Sequence, residues 1–355
     1  MHTNYCVPTG VIIKEYLEEK NISVEELANK YKIDQKYLVD LLNGKSGLTI
    51  EIANILNKAL PEITASYWLN LEDKYNEYIA NEKKEKSKLL SCSKEQLKEL
   101  SKKFKFKEVF KGLNWSLEKQ AIEMLKLLQI RSFDKFNEAY SKYKVDFFQD
   151  GGETEAIAVW INLCKEEVFV QNDDISDINY SKEQLKNNLI MFKNIAYNEN
   201  LDATINNCRR LCNRLGIYFV DLDPISNSKV RGALLTYEDH PAIFISRRFK
   251  THDHIWFAIA HEIGHLMLHY QKDDILISLE ENETIDDKEE EANKFARDLF
   301  IDSEEYNKFI AKGEFTSKAI EVFAAKNRIL AGMLIARLQH DGYLEMSYMN
   351  YKKIR

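Results

Sequence analysis

Apolar positions recur every three to four residues along most of this chain, and that spacing predicts a protein built mainly of helices. Near the start, Val11, Ile12, Ile13, Tyr16 and Leu17 mark a helix over 11–20. Ser23 followed by Glu26 is a capping box, which predicts a second over 24–31. Asp34 has the chemistry to cap a third over 35–42, stopped by Asn43-Gly44. Thr49 opens a fourth over 50–60, closed by Pro61, and Thr64 a fifth with Trp68, Leu71 and Tyr75 on one stripe. Helical periods continue over 117–128, 133–143, 154–164, 181–194 and 201–215, with a break at Gly151-Gly152 and a stop at Gly216. Then the texture changes. Runs at 217–222, 233–237 and 242–246, rich in Ile, Val, Phe and Tyr, predict three short strands in an antiparallel sheet. A long apolar helix follows, with Asp253 as its expected cap. The expected fold class is mainly α with a small antiparallel β-sheet, an α+β arrangement. An all-α helix-turn-helix domain over 1–80 and a helical connector over 82–195 precede a third domain over 200–355.

Composition narrows the partners. A chain of 355 residues, 45% hydrophobic and 30% charged, can hold several soluble domains with a substantial core. Its net charge of −7 excludes a chain-wide basic excess, so any nucleic-acid contact must be a local patch. No signal-peptide pattern opens the sequence and no apolar run reaches membrane-spanning length, so the expected setting is cytoplasmic with no membrane partner. Five scattered cysteines, Cys6, Cys92, Cys164, Cys208 and Cys212, fit free thiols in a reducing compartment, with Cys208 and Cys212 packing from one helix face. Lysines at 83, 84, 86 and 88, then at 102, 103, 105 and 107, read as a solvated linker and helix face rather than a nucleic-acid arm.

The chemistry concentrates in the run Phe257-Ala258-Ile259-Ala260-His261-Glu262-Ile263-Gly264-His265-Leu266. On a helix, residues four apart differ by about 40° in azimuth, so His261 and His265 face the same way and can share one tetrahedral zinc. Glu262, beside the first, can take the proton from a water held by that cation, as a general base. A third ligand is needed, and Glu289-Glu290-Glu291 opens a helix whose buried stripe is Ala292, Phe295, Ala296 and Leu299. Glu289 extends that stripe and is the first choice; Glu290 is the alternative. His269 lies two turns beyond His261 and about 80° round the helix, too far for direct ligation. His240, His252 and His254 precede the helix in turns, where they meet substrate or solvent. Ala242–Ser246, if it is a sheet edge, can hold an extended substrate by strand addition.

Two resemblances follow from these residues. Pro8-Thr9-Gly10, Glu25 with Leu27-Ala28, Leu41-Leu42-Asn43-Gly44-Lys45, Thr49 with Ala53, and Trp68-Leu69-Asn70-Leu71 before Tyr75 resemble the HigA-type antitoxin branch of the Xre regulators. That resemblance implies double-stranded DNA as a partner, with the helix at 35–42 in the major groove. Gln35, Lys36 and Tyr37 would lie near base edges or phosphates, and Asn43 and Lys45 near the backbone. The segment carries more Asp and Glu than Lys and Arg, so a protein-interaction or dimerisation role is the alternative.

Over about 205–345 the chain resembles the ImmA/IrrE-type metallo-endopeptidases, through Arg231-Gly232-Ala233, Ala242–Ser246, Ile255-Trp256-Phe257, His261–His265, Glu289 with Ala292-Asn293 and Phe295-Ala296, and Arg337–Gly342. The resemblance implies a zincin-like domain that binds Zn2+ through His261, His265 and Glu289 and hydrolyses peptide bonds with Glu262 as general base. His340, in the tail motif, is a candidate for orienting the site or stabilising an oxyanion, with packing as its default. The expected function is a zinc-dependent regulatory endopeptidase, a homodimer, that cuts a protein such as a repressor or toxin/antitoxin partner. The alternative is a HigA-like antitoxin or transcriptional regulator whose metal domain senses or binds without proteolysis.

Overall fold

A computed structural model describes residues 7–90, 93–141, 152–272, 275–279 and 287–347, with backbone alone for 81–90 and 279. Cys6, Cys92, Tyr143, Gly151 and the side chains of Lys83, Lys84, Lys86 and Lys88 lie outside that description. Seventeen α-helices and four strands among the described residues make an α+β fold dominated by helix. None of these helices is long and apolar enough to cross a membrane. The chain divides at residue 94 into two compact units.

The N-terminal unit holds α1 (Thr9–Glu19), α2 (Val24–Tyr31), α3 (Gln35–Leu42), α4 (Ile50–Ala59) and α5 (Ala65–Leu90). Side-chain oxygens fix its helix starts. The Ser23 hydroxyl accepts from the Glu26 N–H at 3.1 Å while the Glu26 carboxylate accepts from the Ser23 N–H at 3.1 Å. Asp34 accepts from Lys36 N–H at 2.8 Å, and Thr49 from Ile52 N–H at 3.3 Å. Lys32, left-handed at φ 58°, ends α2 abruptly enough for α3 to start three residues later. Ile13, Leu17, Leu27, Leu38, Leu41, Leu56 and Trp68 close over one core, which sets α2 and α3 as the two helices of a helix-turn-helix.

The second unit runs through α6 (Lys94–Lys103), α7 (Phe106–Val109), α8 (Leu117–Leu127) and α9 (Phe136–Ala139) to α10 (Thr154–Gln171), α11 (Lys182–Ala196) and α12 (Leu201–Arg214). Strands β1 (Tyr218–Leu222), β2 (Val230–Tyr237) and β3 (His240–Ser246) follow, then α13 (His252–Leu268), β4 (Ile275–Leu279) and α14 (Asp287–Phe300). Three helices close the described chain: α15 (Ser303–Ile310), α16 (Ser317–Asn327) and α17 (Ala331–His340).

The sheet is mixed, which corrects the expectation of an antiparallel one. Its strand order is β1-β3-β2-β4. Glu238 and Asp239, both at positive φ (44° and 66°), make the tight hairpin between β2 and β3. That hairpin sends β3 back along the direction of β1, and the two pair in parallel, Val220 opposite Phe244. The sequence showed three of the four strands but not which were neighbours. The position of β3 explains its composition: all seven residues are buried, as expected of a central strand covered on both faces. Strand β4, which the sequence reading missed, pairs antiparallel with β2, Leu276 opposite Leu234. Phe219, Leu234, Ile243 and Ile245 share a core with α11, α12 and α13. The alternate residues Val220 and Phe244 face the other side and are just as buried, while α10 packs along β1 and β2.

Candidate metal centre

Helix α13 begins at His252 behind Thr251, so Asp253 is not its cap but sits in the first turn. Twelve of its residues are buried, among them His261, Glu262 and His265, which places charged chemistry inside an apolar element. Helix α14 packs against it closely because Gly264 faces the partner. A Cβ there would stand 3.1 Å from Phe295 Cδ1 and 3.2 Å from the Ala292 carbonyl. The close approach brings the first turn of α14 over the histidines.

Glu289 is the carboxylate that arrives. Its two oxygens are 3.2 Å from His261 Nε2 and 3.0 Å from His265 Nε2, and the two Nε2 atoms are 2.9 Å apart. Within this trio, ligand atoms all lie within 4.8 Å of one another. Glu290 is exposed and takes no part in the trio, and Glu291 points instead at His269. Burial alone would push the Glu289 carboxyl up, but hydrogen bonds from both imidazoles outweigh it and hold it far below the usual carboxylate range. Burial opposes charge on His261 too, yet Glu289 and Glu262 together raise its pKa.

Glu262 is wholly buried; among the described residues the Ser278 hydroxyl stands beside its carboxylate without making a hydrogen bond of full geometry to it. Burial raises its pKa, with the charges of His261 and His265 working the other way. Leaving such a group without a well-formed hydrogen bond costs on the order of 1–3 kcal/mol. Gly232 makes the room it occupies: a Cβ on Gly232 would fall 2.4 Å from Glu262 Oε1. The register of β2 against β4 slips between Val230 and Gly232, which sets Gly232 opposite Ser278, and both meet that carboxylate. Two imidazole nitrogens, a carboxylate oxygen and a buried base beside them are the donor set that suits zinc with an open coordination position.

His261, Glu289 and Glu262 line a cleft of about 590 Å³, with Ser278, Arg297 and His340 also on its walls. His340 is not packed away. Its ring is exposed at the cleft, 3.0 Å from Asp341, which also accepts from Tyr306 OH at 2.6 Å. His254 lines the cleft and meets Thr251 at 2.7 Å, whereas His240 and His252 are buried against the Gly216 and Asn198 carbonyls. Strand β3 lies between β1 and β2, so Ala242–Ser246 is not a sheet edge and cannot add a strand. Among the described strands the edge that contributes to the cleft is β4, through Ser278.

Contacts behind the ligands went unread in the sequence. His261 Nδ1 meets Asn293 Oδ1 at 2.9 Å, and His265 Nδ1 meets His269 Nδ1 at 3.0 Å. Asn293 recurs one turn after Glu289 on α14, a spacing that was available as a signal. In the N-terminal unit, Gln35, Lys36, Asn43 and Lys45 are exposed on and just after α3. Tyr37 differs: its hydroxyl donates to the Gly47 carbonyl at 2.7 Å, which ties it to the turn after α3.

Comparison with known proteins agrees with this layout. Residues 212–334 match the IrrE N-terminal-like domain of peptidase family M78, and residues 13–68 match a helix-turn-helix domain. Virulence-associated protein A′ of Dichelobacter nodosus is 31% identical over 67 residues, 19% of this chain and 58% of that protein. Virulence-associated protein A of the same organism is 33% identical over 67 residues, 19% of this chain and 66% of its own length. The chain thus spans less than two thirds of either relative. No solved structure gives a significant match.

Proposed function

We propose that this chain, which joins a helix-turn-helix to an IrrE N-terminal-like peptidase-family domain, is a zinc-dependent regulatory endopeptidase. The observation that carries the reading is the meeting of His261, His265 and Glu289 beside a wholly buried Glu262. His261, His265 and Glu289 would hold the cation, which when bound would supply Lewis acidity, acidifying an attacking water and polarising the scissile carbonyl. Glu262 accepts the proton of that water and passes it to the departing amine. Its burial keeps the carboxylate poorly solvated and therefore basic. An extended substrate lies along the β4 edge, antiparallel pairing fixing its backbone over the cleft.

The substrate class is a folded regulator's exposed segment, a repressor or a toxin/antitoxin partner. Gln35, Lys36, Asn43 and Lys45 would bring the protease to double-stranded DNA, in a homodimer as two-fold operators require. Mass spectrometry of cells expressing the wild type against Glu262→Gln tests the reading. One protein should be shortened only by the wild type, with cleavage by the variant lower by roughly 100- to 10,000-fold. If the two behave alike in every assay, a regulator that binds metal without proteolysis replaces the enzyme.

A further inference from the structure

Each imidazole of the trio turns one ring nitrogen away from it, and the two outer nitrogens meet unlike partners. Behind His261 stands the neutral amide oxygen of Asn293, at 2.9 Å. Behind His265 stands another imidazole, His269, at 3.0 Å, and behind that the carboxylate of Glu291, 2.9 Å from His269 Nε2. His269 lies one turn after His265 and directly follows α13, on which His265 sits; Asn293 and Glu291 both belong to α14. We infer that His269 and Glu291 act as a relay of positioning residues that fixes the tautomer of His265 and strengthens its hold on a cation. The inference rests on the proposed ligand set.

The argument is one of proton places. A neutral imidazole has one N–H and one bare nitrogen. If His265 is to offer the lone pair of Nε2 to a cation, its proton must sit on Nδ1, from which it is donated to His269 Nδ1. That nitrogen must then be bare, so the His269 proton sits on Nε2 and is donated to Glu291. Each proton has a single place, and the chain ends on a carboxylate. The opposite assignment puts a proton on His265 Nε2, in the space facing both His261 and Glu289, where it blocks ligation. The Glu291 carboxylate, its side chain 63% exposed, therefore favours the ligating tautomer from two groups away. The His269 side chain is only 7% exposed, so water is a poor substitute for either of its partners.

Outer partners of metal-bound histidines are typically worth 10- to 100-fold in affinity. Competition between the full-length chain and a chelator for zinc measures that share without any substrate. His269→Leu, which removes the acceptor, should weaken zinc binding by roughly 10- to 100-fold. His269→Asn restores an acceptor oxygen near the position of Nδ1, copying the arrangement behind His261, and should recover most of the loss. Glu291→Gln, on an exposed side chain that the fold does not need, should weaken binding by a smaller factor. Wild-type affinity in both His269→Leu and Glu291→Gln overturns the relay while leaving the ligand set intact. A wild-type chain that takes up no zinc removes the ligand set itself, and the relay with it.

Discussion

Glu262 and Gly232 show how much depends on single atoms. The base is close to the ligands because it is adjacent to one of them in sequence, but its carboxylate is held in place by the absence of a side chain on β2. Gly232→Ala should therefore push the Glu262 carboxylate aside while His261, His265 and Glu289 stay where they are. Misplacement of about 1 Å costs roughly 100-fold in rate, so cleavage should fall by about that factor while zinc affinity, followed by chelator competition, stays near wild type. Loss of both together would mean that Gly232 supports the whole site rather than its base. Helical spacing made the pair His261 and His265 legible, and the stripe ending in Ala292 singled out Glu289 over its neighbours. The Gly232 contact was not legible, since it joins residues thirty apart through a strand register that no local pattern encodes. His269 was excluded as a ligand on azimuth, yet a ring outside the ligand set still reaches the outer nitrogen of His265.

At the scale of elements, the pairing of α13 with α14 builds the site. Gly264 lets the helices approach, and the approach decides whether Glu289 meets the histidines. Gly264→Val should cost about 1–3 kcal/mol through overpacking, seen as a lower Tm, and should weaken zinc binding in parallel because Glu289 is lifted away. A lower Tm with unchanged affinity would show that α14 can shift without moving its first turn. Helix starts were readable because Ser23, Asp34 and Thr49 cap with their own side chains. At α13 the cue failed: Thr251 precedes the helix without capping it, and Asp253 is spent inside the first turn. Strand order was out of reach of periodicity, which reports which face a residue takes and not which neighbour it has. For that reason the mixed sheet, with β3 at its centre and β4 at its edge, had to come from the structure.

The whole molecule is two compact units, and the metal chemistry belongs to one of them. Zinc at about 100 times its Kd should add roughly 2.7 kcal/mol to the unit that binds it. Calorimetry of the full chain with and without chelator should show this as a shift confined to the transition of residues 95–355. A shift of every transition together would show the helix-turn-helix to be energetically coupled to the metal. The central claim, that His261, His265 and Glu289 jointly hold one cation, is tested most directly by metal content after gel filtration of wild type, Glu289→Gln and Glu290→Gln. About one zinc per chain in the wild type and in Glu290→Gln, with little or none retained by Glu289→Gln, is the predicted result. Full zinc in Glu289→Gln, or none in the wild type after refolding with zinc, would contradict it.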